Sequence, residues 1–190
     1  MRKLKLYTVD EDYINYLSSF DSRVMYGSSR TYKKDRKYLG VVLKINDFEY
    51  FAPLSSPKDT DYFYKKGVRQ VKQSTIPIVR LVAENGDLLG KIKLNNMIPV
   101  KNEDLILYDI NGDNDKKYKA LVSKEMICIR KSKNEIVKSA FVLYNQKANG
   151  YRNIKYLDSV LDFKSLENAC LKYKGNKYFS DSTANIDGDE

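Results

Sequence analysis

Apolar and polar residues alternate from Leu4 to Val9, which predicts a first strand. Asp10 then stands where a helix cap belongs. Glu11 and Asp12 favour the first turn, and Tyr13, Leu17 and Phe20 fall on one face of a helix reaching Phe20. Met25–Lys37 loses all periodicity and reads as a polar, basic loop. Two apolar, β-branched or aromatic pairs follow. Leu39–Ile45 and Phe48–Pro53 flank Asn46-Asp47, and Ile78–Ala83 and Leu88–Leu94 flank Asn85-Gly86-Asp87, so both predict hairpins. Pro53 and Pro57 lack the ladder donor, which predicts that the second strand stops there. Lys58–Gln73 between the hairpins reads as a basic loop with some helix. Met97–Val100 and Leu105–Tyr108 predict two short strands.

After Asp115 the period lengthens to that of a helix. Tyr118, Leu121, Val122, Glu125 and Ile129 share one face, and a second helical segment spans about Asn134–Gln146. Asp162 caps a last helix to Tyr173, with Leu166, Ala169 and Cys170 inward and Gly175 beyond its end. Residues 180–190 carry four acidic groups and no basic one, the composition of a disordered tail. Strands followed by helices give an α+β fold: a compact, antiparallel, barrel-like sheet core with helices packed around it and a mainly helical C-terminal half. We expect one domain over 1–175 and an acidic tail over 176–190.

Composition narrows the chemistry. The chain has 190 residues, no histidine, and two cysteines, Cys128 and Cys170, set 42 residues apart without ligand partners. That argues against a zinc site and for a reduced, cytoplasmic protein without metal or cofactor. No apolar run approaches a membrane span, and the opening residues read as a strand rather than a secretory leader. Asp109, Asn111, Asp113 and Asp115 imitate a calcium loop, but Asn114 replaces the required glycine and Ala120 the closing glutamate, so a turn is expected. Phosphate-binding glycine loops are missing.

The net charge of +9 is uneven. Residues 1–80 hold sixteen basic and nine acidic side chains, and six of the basic ones fall between Arg23 and Lys37. Such a field suits a polyanion, although a merely solvated basic face has the same composition. Sixteen tyrosines, several interleaved with these cations, add ring faces on which unstacked bases can lie. We therefore expect Arg30, Lys33, Lys34, Lys37, Lys65, Lys66 and Arg69 to meet RNA. Membrane contact is not expected.

Ser55-Ser56-Pro57-Lys58 sets two hydroxyls and an amine at a strand end. Taken alone, the simpler reading is a proline-shaped turn. The basic loop enters the same hairpin that this segment leaves, however, and an antiparallel pair brings entry and exit together. Tyr32, Arg36, Ser55, Ser56 and Lys58 would then converge. Crowding by Arg36 would lower the proton affinity of the Lys58 amine and suit it to moving a proton. A non-catalytic RNA-binding protein would use the same groups.

These residues carry a family likeness. Thr31-Tyr32, Arg36, Leu39-Gly40-Val41-Val42-Leu43, Ala52-Pro53-Leu54-Ser55-Ser56-Pro57-Lys58 and Met97-Ile98-Pro99-Val100 resemble the ToxN/AbiQ family of type III toxins. So do Leu6-Tyr7-Thr8, Tyr13–Leu17 and the closing Asp162-Phe163, Leu166 and Tyr173, giving a likeness over roughly 1–173 in the same order. Family members often carry threonine at the position of Ser55 and lysine at that of Arg36. A guanidinium there keeps the charge but is a poor proton donor. The resemblance implies an antiparallel sheet related to other small toxin ribonucleases. It implies cleavage at A-rich sites to 2′,3′-cyclic phosphate ends and inhibition by a small, pseudoknot-like repeat antitoxin RNA. It further implies a closed ring of protein and RNA, and phage resistance by abortive infection through cut cellular or phage RNA.

Overall fold

The computed structural model describes residues 4–25 and 36–175, apart from the side chain of Val41. Strand β1 (Lys5–Val9) leads into helix α1 (Glu11–Ser18), where the Asp10 carboxylate accepts the Tyr13 backbone N–H. A long hairpin follows, β2 (Tyr38–Ile45) and β3 (Phe48–Ser55), turning at Asn46 with a positive φ. Next come the short strands β4 (Tyr62–Lys65) and β5 (Val68–Val71), then the hairpin β6 (Ile78–Val82) and β7 (Leu88–Lys93). Strands β8 (Ile98–Pro99) and β9 (Leu105–Leu107) finish the β half. Helices α2 (Lys116–Lys131), α3 (Lys133–Ala148) and α4 (Phe163–Lys172) form the rest.

Seven strands make one antiparallel sheet in the order β6-β7-β3-β2-β1-β9, with β8 also paired to β3, while β4 and β5 pair with each other. The α+β architecture with a helical second half therefore stands. Two local expectations do not. Pro53 does not end its strand: it pairs with Tyr38, after which β3 changes partner and continues as Leu54 opposite Ile92 and Ser55 opposite Lys91. A proline in mid-strand is tolerated because the next residue supplies the missing bond, Leu54 N–H donating to the Lys37 carbonyl at 2.8 Å. The segment 58–73, expected as loop and helix, is a one-turn 3-10 helix over Asp59–Asp61 followed by the β4–β5 hairpin. The acidic loop near residue 110 is a turn, as Asn114 and Ala120 at the key calcium-loop positions implied. Asp115 accepts the N–H groups of Lys117 and Tyr118 and caps α2.

The core lies between the sheet and the helices, with Tyr13, Leu17, Leu39, Tyr50, Phe51, Ile92, Leu143, Phe163 and Leu166 all buried. Its polar centre is Glu167. That carboxylate accepts Tyr50 Oη at 2.8 Å, Tyr144 Oη at 2.7 Å and the Lys164 ammonium at 2.9 Å, tying β3 to α3 and α4. Each bond to a buried, charged acceptor of this kind contributes about 1.5–3 kcal/mol. Both cysteines are free thiols, Cys170 buried and Cys128 half-buried. Among the described residues no helix is long and apolar enough to cross a membrane.

Candidate active site

Pairing across β3, β7 and β6 sets Ser55 opposite Lys91 and Lys91 opposite Arg80. Alternation along the strands puts these three side chains on one face, while Ile92 and Val79 face the core. Two cations buried side by side need an anion, and Asp61 provides it. The residue is 2% exposed; one carboxylate oxygen accepts the Lys91 ammonium and the Lys58 backbone N–H (2.9 Å), the other Arg80 Nη2 (3.1 Å). Burial alone would raise the Asp61 carboxyl, but the hydrogen bonds from Lys91 and from the Lys58 N–H, with Arg80 beside them, hold it below the usual carboxylate range. The Asp61 carbonyl also accepts Lys72 N–H at 2.9 Å. One residue thus pins the Ser55–Lys58 loop and the root of the β4–β5 hairpin to the sheet.

Above this buried row the loop presents Ser56 and Lys58 to solvent, with Ser55 half-buried. Arg36 reaches over from the start of β2 and donates Nη1 to the Leu54 carbonyl at 3.1 Å, so hairpin entry and exit do meet. Lys93, two residues along β7 from Lys91 and on the same face, completes a cationic cluster. Burial, followed by repulsion from Lys58, Lys91 and Arg36, pushes the Lys93 amine below the usual lysine range. A phosphate placed here would meet several cations at once and relieve their mutual repulsion.

The expected RNA contacts divide. Tyr32, Arg30, Lys33 and Lys34 lie outside the described residues. Lys37 is buried, its ammonium 4.4 Å from the centre of the Tyr108 ring, and does not belong to an open surface. Lys65, Lys66 and Arg69 are exposed on the β4–β5 hairpin, close in sequence to Lys58. Sequence reading missed Asp61, Arg80, Lys91 and Lys93. The usable signal was Lys91 and Lys93 at alternate positions of an apolar strand, where charges need a reason. Among the described residues no group of three or more His, Cys, Asp or Glu could hold a metal ion.

Comparison with known proteins decides the family. The family model for toxin ToxN of type III toxin–antitoxin systems matches residues 5–171. This chain belongs to the ToxN family. It is 33% identical over 150 residues to the endoribonuclease ToxN of Pectobacterium atrosepticum, covering 77% of this chain and 83% of that one. To the endoribonuclease AbiQ of Lactococcus lactis subsp. lactis it is 33% identical over 186 residues, covering 93% and 92%. The solved structure of AbiQ, described as a lactococcal anti-phage endoribonuclease of a type III system, superposes with a TM-score of 0.74 at 30% identity, covering 90% of this chain and 97% of that chain. A type III toxin structure described in terms of selective inhibition by a non-coding RNA pseudoknot gives a TM-score of 0.76 at 27% identity, covering 91% and 99%. In the ToxN family member described here, the matched span contains every residue of the Ser55–Lys58 loop and of its supporting row.

Proposed function

We propose that this protein is the endoribonuclease toxin of a type III toxin–antitoxin system, cutting A-rich RNA without a metal and leaving 2′,3′-cyclic phosphate ends. The observation that supports it most is the bond from Arg36 to the Leu54 carbonyl, which brings the start of β2 beside the strand end that carries Ser55, Ser56 and Lys58, above the buried Lys91–Arg80 pair that Asp61 neutralises. In the reaction the ribose 2′-oxygen loses its proton and bonds to phosphorus. The bond from phosphorus to the 5′-oxygen then breaks, and a proton passes to that oxygen. Lys58 and Arg36 stabilise the doubly charged phosphorane, and Lys58 moves the proton. Ser56 orients the 2′-hydroxyl or a phosphate oxygen. Serine attack is not part of this scheme, because the chain has no histidine to activate it. A small repeat antitoxin RNA, pseudoknot-like, occupies the same cationic surface and holds the toxin inactive in a closed protein–RNA ring in the cytoplasm. Release of the toxin limits phage growth.

The test is incubation of purified protein with A-rich single-stranded RNA in excess chelator, with analysis of the new ends. Cyclic phosphates are expected, whereas RNA bound but uncut would make this a binding protein. Ser56→Ala and Lys58→Ala should each lower the cleavage rate by roughly a hundredfold or more while folding and antitoxin-RNA binding persist. Full cleavage by both variants overturns the assignment. Retained cleavage by Lys58→Ala with loss in Lys93→Met moves the proton-transfer role to Lys93.

A further inference from the structure

The β4–β5 hairpin is a second feature that needs a reason. Among the described residues it pairs with no strand of the main sheet, and Tyr64 at 73% exposure, Val68 at 60% and Phe63 at 40% are open to solvent. An isolated two-stranded ribbon is marginally stable in water. Three devices hold this one. Lys66 and Gly67 both have positive φ (50° and 77°), giving a two-residue turn whose twist matches the strands. The root is fixed through Asp61, whose carbonyl takes the Lys72 N–H and whose carboxylate takes the Lys58 N–H. The Arg69 guanidinium carbon sits over Tyr62, 3.7 Å from the ring centre, and the side chain donates to Asp59 at 2.9 Å.

Register separates the two faces. Tyr62 pairs with Val71 and Tyr64 with Arg69, so Tyr62, Tyr64, Arg69 and Val71 share one face. Phe63, Lys65, Val68 and Gln70 share the other. The first face therefore offers an exposed ring beside a cation already held over the neighbouring Tyr62 ring, and Lys66 at the turn and Lys72 beyond β5 are exposed. An aromatic face with cations for a phosphate backbone is what an unpaired base and its strand require. A duplex keeps its bases stacked away from such a ring. The arm begins one residue after the 3-10 turn that follows Lys58.

Resting on the ribonuclease reading above, we propose that the Tyr64–Arg69 face is a stacking arm for a nucleobase that flanks the cut in single-stranded substrate RNA. The probe is an A-rich RNA oligomer with 2′-O-methyl groups throughout, which lacks the nucleophile and stays intact. Anisotropy measures its binding, and the unmodified oligomer gives kcat and KM. Tyr64→Ala should weaken single-strand binding about 5- to 100-fold and raise KM by a similar factor, with kcat unchanged within about twofold. Tyr64→Phe should behave as wild type, and Phe63→Ala, on the other face, should stay within about twofold of it. The proposal is overturned if Tyr64→Ala binds as wild type, if Phe63→Ala has the larger effect, or if a fully paired RNA loses affinity equally. Wild-type cleavage combined with an indifferent Tyr64→Ala removes the arm alone. A wild type that neither binds nor cuts RNA removes the ribonuclease reading and the arm with it.

Discussion

Gly90 and Lys91 are neighbours on β7, and each lies against a buried carboxyl, yet the two acids are opposites. On the Lys91 face Asp61 has three donors and is held below the usual carboxylate range. On the Gly90 face Glu125 of α2, 7% exposed, has no hydrogen bond among the described residues, and burial pushes it up to about 7. Burial costs both acids their hydration, and the partners decide whether the charge survives. The site side of the strand keeps a permanent anion to hold its cations in place. The helix side keeps a carboxyl that is half neutral near neutral pH.

Removing the paired acid should give the largest effect. Asp61→Asn leaves Lys91 and Arg80 buried with a neutral partner, and unfolding at pH 7 should show a loss of about 3–5 kcal/mol. Because the folded-state value of Asp61 is depressed, its contribution is complete above the ordinary aspartate value and disappears as pH falls below it. The penalty of Asp61→Asn should therefore shrink in denaturant melts taken toward pH 2. The loosened Lys58 loop should also lower cleavage about tenfold or more.

Glu125 has the reverse dependence. With its folded-state value raised, the native protein is stabilised relative to the ionised state below the ordinary glutamate value and loses that advantage as pH rises to about 7. Glu125→Gln should add up to about 3 kcal/mol at pH 8 and nothing at pH 4. Equal gains at both pH values would show that charge is not the cause. Next in size is Gly90→Ala, whose new Cβ would sit 2.3 Å from Glu125 Oε1 and 3.4 Å from the Ser55 carbonyl oxygen. The carboxyl must move aside, and a loss of about 1–3 kcal/mol is expected from thermal melts. The exposed pair of Lys131 and Glu84, 2.5 Å apart, sets the lower limit of the series. Lys131→Ala should leave Tm unchanged.

The contrast also separates what could be read from the chain from what could not. Periodicity and caps marked β1, α1, both long hairpins and α2 to α4, because each of those signals is local: Asp10 and Asp162 cap the helices that follow them, and the change of period after Asp115 marks α2. That Arg36 at the hairpin entry reaches Leu54 at its exit was legible because a hairpin fixes its own ends. Asp61 was not, since its partners come from positions 58, 80 and 91 and depend on a three-strand register. The β4–β5 hairpin was hidden by its basic composition and by a Lys-Gly turn, which is a weaker sign than Asn-Gly. Lys37 shows the limit of counting charges: a basic run says nothing of which member folds inward onto Tyr108.

The two-residue turn at Lys66-Gly67 has a consequence for how this arm can change in descent. That turn fixes Tyr64 opposite Arg69, so one residue inserted between Asp61 and Tyr64 would leave this pair together but turn it to the opposite side relative to the root, where the Asp61 carbonyl takes the Lys72 N–H. Tolerated changes of arm length should therefore be matched in β4 and β5, two residues in each strand, so that Tyr64 and Arg69 keep their side relative to the root.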